Sequence, residues 1–63
     1  MSKYTLIGID GNAFSILGYV SASMKKEGKT EKEIKEYQKS AMAGDYSGLL
    51  AISSEMIDEL NQK

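Results

Sequence analysis

The apolar positions of this chain follow two different periods. Tyr4-Thr5-Leu6-Ile7-Gly8-Ile9 is apolar and partly β-branched, and it stops at Asp10-Gly11-Asn12. That composition predicts a β-strand over residues 4–9. From Ala13 onward the period is helical. Ala13, Leu17, Val20 and Met24 share one face, flanked by Ile16 and Phe14. The opposite face carries Ser15, Gly18, Tyr19 and Ala22 and no charge. A helix without charges on any side is expected at the centre of a fold. Ile34, Tyr37, Ala41 and Met42 give a second helix its inner face. Tyr46, Leu49, Leu50, Ser53, Met56, Ile57 and Leu60 form the stripe of a third. The expected class is α+β and mostly α, in the order β-α-α-α, as one small domain over residues 1–63.

The helix ends are marked. Asn12 or Asp10 is placed to cap the first helix. Lys25 and Lys26 suit the negative end of its dipole, and Gly28 suits the C′ position. Thr30-Glu31-Lys32-Glu33 reads as a capping box. Gly44 closes the second helix and Asp45 is placed to cap the third. Glu31 with Lys35, and Lys32 with Glu36, are spaced for ion pairs on the outer face of the second helix. Asn61-Gln62-Lys63 is expected to fray.

No later segment reads as a partner for the strand. A lone strand leaves backbone N–H and C=O groups unpaired. The simplest remedy is the same strand from a second copy, antiparallel across a two-fold axis. The expected homodimer interface is then Tyr4, Leu6 and Gly8 of the strand with Gly18 and Ala22 of the first helix. Size points the same way, since 63 residues bury only about 60% of their unfolded surface. With no cysteine, no disulfide makes up the difference, and oligomerisation is the usual source of extra core.

Composition restricts the chemistry. The chain has no cysteine and no histidine, so Cys or Ser–His nucleophiles are excluded, as are thiolate or imidazole metal sites. The acidic residues sit mostly on solvent faces. The expectation is a protein that is not an enzyme, with no cofactor and no metal. All eight basic residues are lysine and the net charge is −1, so nucleic acid is a poor partner. The longest uncharged run, 11–24, is too short and polar to span a bilayer, and no signal peptide is expected.

Two turns are candidate sites. Asp10-Gly11-Asn12 joins the strand to a helix N-terminus, where an anion is favoured. Its structural reading is a tight turn with Gly11 at positive φ and a capping Asn12 or Asp10; its functional reading is a ligand loop. Asp45-Tyr46-Ser47-Gly48 reads as a cap or as a contact site. Tyr19 points off the core stripe of its helix. Ser15, Tyr19, Asp45 and Tyr46 are therefore the candidate binding surface, because aromatic anchors carry most interface energy.

Leu6-Ile7-Gly8-Ile9-Asp10-Gly11-Asn12-Ala13-Phe14-Ser15-Ile16-Leu17-Gly18 resembles the N-terminus of short proteins of bacteriophages and prophages. Ala41-Met42-Ala43-Gly44-Asp45-Tyr46-Ser47-Gly48-Leu49-Leu50 is similar to their second common segment, and the Glu-Gly-Lys-Thr-Glu-Lys-Glu junction lies between the two. The resemblance implies a non-enzymatic protein of the bacterial host cytoplasm that acts by binding. The first expectation is an inhibitor or adaptor for a host protein, directed against a defence system. The second is a nucleotide or small-molecule sponge at the Asp10-Gly11-Asn12 loops. The third is a DNA-binding regulator using the second and third helices.

Overall fold

The computed structural model describes residues 3–62. The fold is three helices: α1 (Ala13–Lys26), α2 (Glu31–Met42) and α3 (Tyr46–Asn61). Each helix packs on both others. The Cα envelope is a slab of 28 × 27 × 15 Å. Val20, Met24, Leu60 and Ser53 are fully buried at its centre, ringed by Ile16, Leu17, Tyr37, Ala41, Leu49 and Ile57.

Local chemistry sets the helix ends as the sequence predicts. The Asn12 side chain accepts the Phe14 N–H at 2.8 Å and starts α1. Gly28, at φ +87°, ends it. The Gly28 N–H bonds the Lys25 carbonyl at 3.1 Å and the Lys29 N–H bonds the Met24 carbonyl at 2.9 Å, a Schellman closure. The capping box of α2 is complete: Thr30 Oγ1 accepts the Glu33 N–H and Glu33 Oε1 accepts the Thr30 N–H. These bonds hold the Glu33 carboxyl below its ordinary range, with the Thr30 N–H the largest cause. Asp45 caps α3 by accepting the Gly48 N–H at 2.9 Å. The predicted pairs on α2 are not ion pairs. Lys29 instead reaches Glu59 of α3 at 2.7 Å and Glu33 at 3.7 Å.

The N-terminal strand does not form, and no residue among those described is in a sheet. The alternation is real: Tyr4 is buried, Leu6 half-buried, Thr5 and Ile7 exposed. What fails is the need for a strand partner. The Asn61 side chain takes both Tyr4 polar backbone groups, its Oδ1 accepting the Tyr4 N–H at 2.8 Å and its Nδ2 donating to the Tyr4 carbonyl at 2.9 Å. The Lys3 N–H shares that Oδ1. The Thr5 N–H goes to the Tyr19 hydroxyl, and the Ile7 N–H to Thr5 Oγ1. Gly8, at φ +86°, then turns the chain, and the Ile9 N–H bonds the Leu6 carbonyl. The segment is a strap laid over the core.

Other expectations change with it. The strand-paired two-fold dimer falls with the strand: Tyr4 is buried within its own chain, Leu6 packs on the core, and Gly8 is inside the turn. Positive φ belongs to Gly8, not Gly11. Asn61 is held rather than frayed, and Lys63 lies outside the described residues. The first helix is not enclosed, because Phe14, Gly18 and Ala22 are exposed. Met42 is exposed instead of facing inward.

Candidate functional site

The N-termini of α1 and α3 meet at one end of the slab. Asp10 Oδ1 accepts the Asn12 N–H at 3.2 Å and shapes the turn. The Tyr46 hydroxyl donates to the Gly11 carbonyl. A Cβ on Gly11 would lie 3.4 Å from the Tyr46 oxygen, an ordinary contact. Asp45, Tyr46 and the Asp10-Gly11-Asn12 turn therefore form one site, joining two segments 35 residues apart.

Beside it lies an apolar cleft of about 220 Å³. Leu17 and Leu49 are buried in its floor. Phe14, Met42, Asp45 and Tyr46 line its mouth. Phe14 is 74% exposed, Met42 60% and Tyr46 46%, with Leu50, one turn along α3, at 37%. That is a cluster of large apolar side chains facing water. Periodicity alone assigns Met42 to the core and Phe14 to its flank. Phe14 is the second residue of α1 and Met42 the last of α2, so each sits at a helix end. This position was the available signal.

Ser15 and Tyr19 are elsewhere. Tyr19 is half-buried, its hydroxyl committed to the Thr5 N–H, and it lines a separate depression with Tyr4, Ala22 and Lys26. The four candidate residues thus divide into two pairs, Ser15 and Tyr19 on α1 and Asp45 and Tyr46 at the start of α3. Near Tyr19, the Tyr4 hydroxyl donates to Glu27 Oε2 at 2.6 Å, and Lys3 pairs with the same oxygen at 2.9 Å. Glu27 raises the Tyr4 hydroxyl pKa, chiefly through that hydrogen bond, and the Lys3 pKa in the same way. This cluster pins the strap.

The chemistry available at the cleft is contact. Among the described residues its one charged lining residue is Asp45, with Asp10 on the adjoining turn. The Asp45 carboxylate at the opening opposes phosphate, and Asn12 already occupies the Phe14 N–H at the α1 N-terminus. No group of His, Cys, Asp or Glu among the described residues is arranged to hold a metal. No described helix is long and apolar enough to cross a membrane. Compared with known proteins, the chain matches no family model, no curated protein and no solved structure.

Proposed function

We propose that this protein acts without catalysis, as a small inhibitor or adaptor that binds a host-cell protein through the cleft between the start of α1, the end of α2 and the start of α3. The observation that carries this reading is the exposed cluster of Phe14, Met42 and Tyr46 around one cleft, with Leu50 exposed one turn further along α3. Large apolar groups gathered at one place on a small surface mark interaction sites. At about 220 Å³ the cleft is below the volume that encloses a typical small ligand. It suits one or two side chains projecting from a protein partner. Tyr46 is the expected anchor, since its ring offers apolar area and its hydroxyl is already held by Gly11. The resemblance to small phage proteins supports a target in the bacterial cytoplasm.

The test is affinity capture from a susceptible bacterial lysate with wild type and two variants. Met42→Lys and Tyr46→Ala should each lose the captured protein while circular dichroism stays helical. A combined charge swap at Lys32, Lys35 and Glu36, all exposed on α2, should keep it, because exposed charges contribute little. Loss with the charge swap and retention with both cleft variants would transfer the working surface to α2.

A further inference from the structure

The cleft beside Tyr46 carries an acid at its mouth and no cation to meet it. Asp45 lines the cleft, and its Oδ1 accepts the Gly48 N–H at the start of α3. Its second oxygen has no partner among the described residues, whose ion pairs use Glu27, Glu33 and Glu59 instead. The rings at the mouth are equally unclaimed. Among the described residues the cation held over a ring is Lys3, 5.5 Å from the centre of Tyr4, while Phe14 and Tyr46 stand exposed without one. Lys39, one turn before Met42, lines a different depression with Lys35 and Glu36.

These features constrain what can fill the cleft. A purely apolar side chain would cover the Leu17 and Leu49 floor and shut water away from Asp45 at the same time. A carboxylate that loses water without gaining a donor costs free energy. An acidic or phosphorylated side chain would meet the Asp45 charge head on. A side chain with an apolar stem and a cationic tip satisfies both floor and mouth.

On the reading of the cleft as the partner site, we propose that the partner residue entering it is an arginine. Its stem lies on Leu17 and Leu49, and its guanidinium donates to the free oxygen of Asp45 and stacks on the Tyr46 ring. Arginine suits the mouth better than lysine, because a guanidinium is flat, is less strongly hydrated and stacks on aromatic faces. The Tyr46 hydroxyl is already bonded to the Gly11 carbonyl, so the ring is held before the partner arrives and little order is lost on binding. Once covered, the Asp45–arginine pair leaves water, which gives it more weight than an exposed ion pair has.

Titration of the full isotope-labelled chain with capped tripeptides, followed by its amide NMR shifts, tests this. The probes are acetyl-Ala-Arg-Ala-amide and its lysine and citrulline counterparts, citrulline having the shape of arginine without the charge. The arginine peptide should move the Phe14, Gly44, Asp45 and Tyr46 amides saturably and bind several-fold tighter than either counterpart. High salt should narrow its advantage over citrulline. Asp45→Asn keeps a capping oxygen for the Gly48 N–H and should abolish that advantage with circular dichroism unchanged. The peptide comparison on wild type stands even where the variant unfolds. An arginine peptide that binds no better than its counterparts would overturn the proposal, and so would shifts spread equally over Glu55 and Asp58 on α3. If lysate capture still depends on Met42 and Tyr46 in that case, the cleft remains the partner site and arginine is the wrong occupant. Arginine-selective shifts at the cleft without a captured protein would support the arginine site and count against the host-protein reading.

Discussion

Tyr37 and Ser53 show how single side chains bind this core together. Their hydroxyls meet at 2.6 Å between α2 and α3, and Ser53 is fully buried. No buried side-chain nitrogen or oxygen among the described residues lacks a hydrogen-bond partner. Tyr37→Phe should cost about 1–3 kcal/mol in urea unfolding by stranding the serine, while Tyr37→Phe with Ser53→Ala should cost less than the two single losses combined. Burial pushes the Tyr37 hydroxyl pKa up, and the Ser53 bond only partly opposes this. The raised folded value means stability that is complete below the unfolded tyrosine value of about 10 and lost as pH rises through the folded one. Alkaline titration followed by tyrosinate absorbance should then show unfolding that Tyr37→Phe makes shallower. The glycines differ as sharply. Gly8 sits at φ +86° with free space around it, whereas Gly11 has ordinary φ and Tyr46 beside it. Gly8→Val should lower the melting temperature more than Gly11→Ala, because a β-branched residue is strained at positive φ. Equal melting temperatures would show that the Leu6–Ile9 turn relaxes freely.

At the scale of elements, helices were legible because their signals are local. Asn12, the Thr30/Glu33 pair, Gly28 and Asp45 each act within a few residues of themselves, and all do as the sequence predicts. The strap was not legible as a strap. Its side-chain alternation is that of a strand, and its hydrogen-bond partners are remote: Asn61 lies 57 residues from Tyr4 and Tyr19 lies 14 from Thr5. One local sign did stand in the sequence, since glycine inside a strand pattern often marks a departure from regular pairing. The site divides in the same way. Asp45, Tyr46 and the Asp10-Gly11-Asn12 turn converge because both are helix starts, and α1 and α3 bring their starts to the same end. Ser15 and Tyr19 do not join them, because a helix has several faces and periodicity names only the buried one. Asn61→Ala should release the strap while leaving three helices, and hydrogen exchange should report faster exchange at the Tyr4 and Thr5 amides with little change in α2.

The whole molecule is a thin slab held by contacts of every helix with the other two. Such a shape leaves much of a small chain on the surface, and the distribution of that surface separates the proposed roles. Lysines and glutamates cover the outside of α2, the outer face of α1 is uncharged until its last turn, and the apolar cleft opens at one end. The Asn61 clasp has a consequence at this scale too. It brings residue 61 against residues 3 and 4, so the described residues run in a nearly closed ring with one carboxamide at its junction. A covalent ring, with a short glycine–serine bridge joining the two sides of the clasp, would keep the same path. It would remove loop-closure entropy from the unfolded chain, as cross-links do. The circular protein should melt at a higher temperature than the linear one. Asn61→Ala should also cost it less, because a tether would then share the hold on the strap.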